Sequence, residues 1–382
     1  MRRPKQILFY GILFLSIIAF LETASFFLGR YFQKKGIFYA PHVTETYQQY
    51  MARMDPTLGW PSRSSYGHGD LDKSGSRIIP SFPDPDKHQA CVSIYGDSFA
   101  WGSEVDNEHA LGNQLALLLG CRVANYGIPA YGTDQAYLRY HTNRQDQARI
   151  VILGHMSEDI TRNVGQFRNL AVPTSQFLLK PRFWLDASGH LHLAPVPRLT
   201  AKNYDDFNKH PEKYLRHEFF LPGGASGIQR FTFPYTLSIL RLYKRFYIKE
   251  KLKGEPRYIG FYQPGHPAKG LQITAAILKK FYDEALSRGQ VPIIVFFPTG
   301  PDLLYYLKSR KWSYAPLMER LRAKHVDFLN IGPGLMDYLG NRNPCKLFKK
   351  CDTHYNEEGN RAVAQVIFAY LKTRHLTPQT AP

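Results

Sequence analysis

The chain has 382 residues, 44% hydrophobic and 14% aromatic, which suffices for one large domain with an insertion or two modest domains and argues against global disorder. Its formal charge of +18 would attract nucleic acid, anionic headgroups or an acidic glycan alike. The basic residues are dispersed and no nucleic-acid-binding motif accompanies them, so the charge reads first as a solvated surface and no nucleic-acid partner is expected.

At the N-terminus, Arg2, Arg3 and Lys5 precede an apolar stretch from Ile7 to Leu28 that is broken mainly by Glu22, Thr23 and Ser25. That length crosses a bilayer as a helix, and Glu22 lies in its last third, within reach of the interface. A cleaved signal peptide with an apolar core ending at Leu21 competes with this reading. Thr23-Ala24-Ser25 offers small residues for cleavage, but Glu22 and the bulky Phe26-Phe27-Leu28 fit a cleavage site poorly. Residues 1–35 are therefore expected to form an uncleaved signal anchor. Arg30, Lys34 and Lys35 balance the leading charges, so the positive-inside rule hardly sets an orientation.

Residues 36–87, rich in Pro, Gly, Ser and Asp, read as an extended juxtamembrane segment with a short helix within Thr44–Met54. A third region, 88–382, alternates strand and helix. The apolar runs Cys91–Tyr95, Arg122–Tyr126, Arg149–Leu153, Val291–Phe297 and Val326–Ile331 predict five buried parallel strands. Helical patterns fall at Ala110–Leu119, Asp134–His141, Lys269–Arg288, Trp312–Lys324 and Glu357–Lys372, the last with Asn356 as N-cap. This alternation predicts an α/β fold, a three-layer α/β/α sandwich. The span of about 164–265, after the third strand, breaks the rhythm and reads as a long insertion that covers or shapes the substrate site. Within it, Trp184–His192 reads as a hairpin turning at Asp186–Gly189, and Tyr235–Lys249 as an aromatic, basic helix with Pro234 at its start.

Cys91 and Cys121 open adjacent strands, and Cys345 and Cys351 bracket a short basic loop, so the bridges Cys91–Cys121 and Cys345–Cys351 suit an oxidising compartment. Four free thiols is the alternative, and the spacing does not resemble a zinc site.

In open α/β sheets, ligands bind beyond the carboxyl ends of the strands. There the sequence places Gly96-Asp97-Ser98-Phe99, then Asn125-Tyr126-Gly127, then the run from Leu153 through Glu158-Asp159 to Asn163, and finally Asp352-Thr353-His354-Tyr355-Asn356. A hydroxyl, a histidine and a carboxylate converging on one face is what nucleophilic acyl transfer requires. These four clusters resemble, in order and placement, the blocks of the SGNH/GDSL hydrolase superfamily, over about 90–160 and 290–375. Asp55-Pro-Thr-Leu-Gly59-Trp60 is similar to the pre-domain segment of its membrane-anchored bacterial members.

The resemblance implies a five-stranded sheet in flavodoxin-like order, Ser98 as nucleophile, His354 as general base and acid, and Asp352 orienting His354. It implies the N–H groups of Ser98 and Gly127 as oxyanion donors, with Asp97, Asn125 and Gly154 structural. Two positions depart from the pattern. The aspartate stands two residues before the histidine, a spacing similar to the alginate O-acetyltransferase branch. Glu158-Asp159 occupies the place of the usual asparagine donor, where an ionised carboxylate would repel an oxyanion; a raised pKa at Asp159, or Asn163 or Asn125 as substitute, would restore the pocket, and weakened or lost activity is the remaining outcome.

Plainer roles compete at several positions. Ser98 would serve as a turn serine, Gly127 as a tight-turn glycine and His155 as a satisfied polar contact. His190-Leu-His192 shows two imidazoles on one strand face without a third ligand, so no metal is expected. Asp134 and Gln135 read as a helix start, and Phe167, Phe177, Phe183 and Trp184 as core before sugar-stacking surface.

The sequence therefore predicts a cofactor-free serine esterase on O-acyl, chiefly O-acetyl, esters of a cell-surface or extracellular polysaccharide, with a lipid ester as the next substrate. The expected placement is single-pass in a bacterial inner membrane, with the catalytic region facing the periplasm or exterior. The rivals are a polysaccharide O-acetyltransferase supplied by a membrane-embedded acyltransferase partner, a catalytically impaired membrane-tethered glycan-binding or assembly protein, and a cytosol-facing lipase.

Overall fold

The computed structural model describes residues 3–61 and 70–377. Arg2, one of the basic residues expected to flank the anchor, lies outside them, as do 62–69 of the juxtamembrane segment. Five strands, β1 (Val92–Tyr95), β2 (Val123–Asn125), β3 (Ile150–Met156), β6 (Val291–Phe297) and β7 (Phe328–Asn330), form one parallel sheet in the order β2-β1-β3-β6-β7. β4 (Arg182–Leu185) and β5 (Leu191–Ala194) form a separate antiparallel hairpin. The main sheet is the expected flavodoxin-like order in an α/β fold with helices on both sides.

Burial explains the central strands. Every residue of β1 and β3 is buried, as a parallel sheet covered on both faces demands. Gly154 in β3 pairs with Val295 in β6, and a Cβ there would meet the Phe297 ring at 2.4 Å. The edge at β2 is closed by a segment from the N-terminal side: Arg77 N–H donates to Asn125 O at 2.7 Å, and Arg122 pairs with Asp72 at 2.7 Å. Cys91 is bridged to Cys121 with Cα atoms 6.2 Å apart, and Cys345 to Cys351 at 4.5 Å.

Two expectations about organisation change. The segment before the sheet, expected to be extended, packs into the core: Tyr50 and Leu58 are fully buried and join a cluster shared with Phe167, Phe177 and Tyr204 of the insertion. Its short helix, Tyr47–Arg53, starts at a Thr46 capping box. The expected Tyr235–Lys249 helix is broken into Tyr235–Leu240, a 3-10 turn at Arg241–Lys244, and Ile248–Leu252. The break falls at Arg245, whose backbone turns extended so that Phe246 N–H reaches Ser226 O at 2.9 Å. Gly227 permits this approach, because a Cβ there would lie 2.1 Å from Lys244 O.

Candidate active site

Ser98 opens the four-residue helix Ser98–Trp101 at the carboxyl end of β1. Asp97 caps that helix, its Oδ1 accepting from Phe99 N–H at 2.9 Å. Gly96 and Gly127 let the turn close, since a Cβ on the first would meet Ala100 Cβ at 2.6 Å and on the second Trp101 N at 2.6 Å. Ser98 is 3% exposed, and its N–H, first in the helix, has no intrahelical acceptor. The turn therefore places a hydroxyl and an N–H without an intrahelical acceptor at one helix start.

His354 arrives from the loop before the last helix, Glu357–Thr373. Three features pin that loop: the Cys345–Cys351 bridge, Lys349 N–H donating to His354 O at 3.0 Å, and Tyr355 OH donating to Pro298 O at 2.6 Å. The imidazole lies against Phe99, the residue after Ser98, with ring centroids 5.3 Å apart. No hydrogen bond joins Ser98 Oγ to His354 in this resting arrangement; catalytic contacts of this kind often tighten only when substrate is present.

The carboxylate at His354 is not the one expected. His354 Nδ1 lies 3.1 Å from Glu104 Oε1, and Thr353 Oγ1 donates to the other Glu104 oxygen at 3.3 Å. Asp352 makes no hydrogen bond to the imidazole and faces a neighbouring cavity. Glu104 also has a positive φ of 69°, in the left-handed region a glutamate rarely occupies. Such backbone strain concentrates at functional sites. In the sequence Glu104 is one acidic residue in a loop, and nothing local connects it to position 354.

The oxyanion side is likewise rearranged. Gly127 N–H already donates to Asn125 Oδ1 at 3.0 Å, so it reaches an oxyanion only by sharing or leaving that bond. Asn125 is spent on the turn, its amide also donating to Ala100 O at 2.8 Å. Asn163 cannot substitute: its amide donates to Thr274 Oγ1 at 2.8 Å, its oxygen accepts from Asp134 N–H at 3.2 Å, and it is fully buried.

Asp159 is buried, and neither carboxylate oxygen accepts a hydrogen bond. Arg162 Nη1 lies 3.0 Å from Asp159 Oδ1 but out of hydrogen-bond alignment, and donates instead to Tyr131 O at 2.8 Å and Asp97 Oδ2 at 3.4 Å. Burial, followed by the charge of Asp97, pushes the Asp159 carboxyl well above the usual range against the pull of Arg162. Asp97 is raised too, by burial, while Arg162, the Phe99 N–H and His354 oppose the shift. Arg162 faces two buried carboxyls, and burial raises both of them. A neutral Asp159 is a hydrogen-bond donor, which removes the repulsion that an ionised group would impose.

Glu158 differs. Burial alone would raise it, but Arg257, Arg162 and Arg168 hold it below the usual carboxylate range, with Arg257 at 3.0 Å. The Glu158–Arg257 pair and Tyr247 stand between two cavities. One, of about 110 Å³, is lined by aromatic residues of the insertion, including Phe167, Phe220 and Phe246, with Trp60 and the cations Arg162, Arg168 and Lys180. The other, of about 580 Å³, runs past Tyr258 and Thr299 to Asp352. Neither wall includes Ser98 or His354. His155 is held between Thr133 Oγ1 at 2.7 Å and Tyr262 OH at 3.0 Å, and burial lowers its pKa to about 3, so it stays neutral and structural. His192 pairs with Asp186 at 2.8 Å on the exposed hairpin, far from this chemistry in sequence.

No protein-family profile matches the chain, and no curated protein matches it. Among solved structures, the chain is similar to a G-D-S-L family protein from Desulfitobacterium hafniense, at 13% identity over 73% of this chain and 97% of that one, TM-score 0.35. It is similar to a lipase/acylhydrolase from Enterococcus faecalis, at 11% identity over 76% and 98%, TM-score 0.37. It is similar also to a mutant acetyl-xylooligosaccharide esterase from Geobacillus stearmophilus, at 12% identity over 76% and 95%, TM-score 0.38. These are likenesses of fold, and the chemistry rests on the residues of this chain.

Proposed function

We propose that this chain is a serine esterase that removes O-acyl, chiefly O-acetyl, groups from a cell-surface or extracellular polysaccharide through an acyl-Ser98 intermediate. The observation that carries the reading is Glu104 at 3.1 Å from His354 Nδ1, beside the Asp97-capped turn that presents Ser98. With Nδ1–H donated to Glu104, the lone pair of His354 sits on Nε2. His354 Nε2 takes the proton of Ser98 Oγ as Oγ attacks the ester carbonyl. The Ser98 N–H donates to the oxyanion. His354 returns the proton to the departing sugar hydroxyl. Water then attacks the acyl-serine with His354 as base, releasing the carboxylic acid and restoring Ser98. No cofactor enters this sequence.

The N-terminal helix, long and apolar enough to cross a bilayer, is read as a single-pass anchor in a bacterial inner membrane, and the two disulfides favour an external catalytic domain. A second reading is transfer of the acyl group to a glycan hydroxyl in place of water, with the donor supplied by a membrane-embedded acyltransferase. A glycan-binding protein with an impaired site is the third reading, motivated by the engaged Gly127 N–H. The test is release of acetate from a panel of acetylated polysaccharides by the full chain in detergent, beside Ser98→Ala. Release lost in the variant supports the esterase; acetate moved to an added glycan supports transfer; neither, with retained glycan binding, supports the third reading.

A further inference from the structure

The N-terminal helix Arg3–Lys34 is not a bare tether. Glu22, Ser25, Phe26, Gly29, Phe32 and Gln33 recur at helical spacing and are its partly or fully covered residues, while Phe20, Phe27 and Leu28 are exposed. What covers the stripe is the Phe231–Leu240 segment of the insertion. Glu22 accepts Tyr235 N–H at 2.6 Å and Thr236 N–H at 3.1 Å, and Ser25 Oγ lies 3.0 Å from Thr236 Oγ1. Phe26 packs on Tyr235 with centroids 5.1 Å apart, and Gly29 lies so close to Phe231 that a Cβ would meet its ring at 2.0 Å.

This contact fixes the depth of the segment. With Ile7–Leu28 spanning the bilayer, Glu22 lies about 9 Å below Leu28 at a rise of about 1.5 Å per residue. Segment 232–240 then stands at the level of the outer acyl chains and headgroups. Its outward side chains suit that place: Phe233 is 71% exposed and Leu240 70%, with Leu237 and Tyr243 also exposed. Its backbone suits it as well, because polar groups at that depth need internal partners. Glu22 takes two of the first-turn N–H groups of the helix Tyr235–Leu240, Pro234 has none, and Ser238 Oγ donates to Thr232 O at 2.7 Å. Beyond Leu240 the chain turns basic, with Arg241, Lys244, Lys249, Lys251 and Lys253 set to meet anionic headgroups.

We propose that Phe231–Tyr243 is a second membrane element, a wedge whose Phe233, Leu237 and Leu240 side chains insert into the outer leaflet of the anionic bilayer that the N-terminal helix crosses. The proposal rests on reading that helix as the anchor. Since the chain continues directly into Phe246 and Tyr247, which line the aromatic cavity, the wedge also sets how far that cavity stands from the lipid surface.

The test places an environment-sensitive fluorophore on single cysteines introduced into the full chain, whose four native cysteines are all disulfide-bonded. The variants Leu240→Cys, Phe233→Cys, Phe14→Cys and Leu307→Cys are reconstituted in phosphatidylglycerol–phosphatidylethanolamine vesicles carrying spin-labelled lipid, with the nitroxide shallow for positions 240, 233 and 307 and deep for position 14. Quenching at positions 240 and 233 at least about twofold stronger than at 307 supports the wedge. Quenching there no stronger than at 307 overturns it. Position 14 reports the anchor separately: strong quenching at 14 with none at 240 and 233 sinks the wedge alone, and none at any position sinks both.

Discussion

Glu104→Gln is the perturbation that distinguishes the site seen in space from the one expected along the chain. The substitution keeps an oxygen acceptor for His354 Nδ1 and leaves the backbone demand at φ 69° unchanged, so it removes charge and little else. At 3.1 Å, a full charge pair is worth about 1.3 kcal/mol in bulk water and about 5 kcal/mol at an effective dielectric of about 20. The two side chains are 29% and 34% exposed, which favours the lower part of that range. A loss of about 1–3 kcal/mol of transition-state stabilisation corresponds to roughly 5- to 150-fold in rate. Steady-state hydrolysis of an activated acetyl ester by the full chain should show kcat falling by that factor with KM unchanged, as expected of a positioning residue. Asp352→Asn should stay within about twofold of wild type. The reverse ranking, with Asp352→Asn crippled and Glu104→Gln intact, would falsify the assignment.

Asp159→Asn should stabilise the protein increasingly as pH rises. A carboxyl raised in the folded state stabilises below its unfolded value of 3.8 and loses that contribution as pH climbs through the folded pKa, whereas asparagine has no such dependence. Denaturant unfolding at pH 5 and pH 8 checks this, and equal gains at both would argue against a raised carboxyl. His155 acts in the opposite sense: with its folded pKa lowered to about 3 from 6.5, it erodes stability by about 1.4 kcal/mol per unit as pH falls through that window. His155→Gln should flatten that part of the acid limb, and an unchanged slope would count against a neutral buried imidazole. Gly300→Ala should impair catalysis more than stability, because the added Cβ would meet Cys351 O at 1.9 Å and press on the loop that carries His354. A kcat within about twofold of wild type would mean that the loop yields without moving the histidine.

The sheet was legible because parallel strands buried on both faces leave continuous apolar runs, and Val291–Phe297 agrees to the residue. β7 is shorter than its Val326–Ile331 run, and its residues are only half-buried at the sheet edge. Among the described helices of eight residues or more, Gly300–Ser309 and Gly332–Leu339 went unread, although Pro301 and Pro333 mark their first turns. Their short apolar patterns are weak beside the strands that precede them.

At the site, Ser98 and His354 were readable as motifs because each lies beside a helix start with a capping residue, Ser98 directly after Asp97 and His354 two residues before Asn356. Glu104 was not, since its partner lies 250 positions away and only the closed fold makes them neighbours. The engagement of Gly127 and Asn163 was hidden for the same reason, as an asparagine looks equally available until Thr274 and Asp134 are placed around it. Glu22 shows the converse: an acid that looks costly in an apolar helix is satisfied by two backbone donors from residues 235 and 236.

The most direct test of an acyl-Ser98 mechanism is intact mass after brief exposure of the folded chain to an activated acetyl ester. The account predicts an increment of one acetyl group on the wild type, traceable by peptide mapping to Ser98, and none on Ser98→Ala. No adduct on folded wild type, or an equal adduct on the variant, would contradict it.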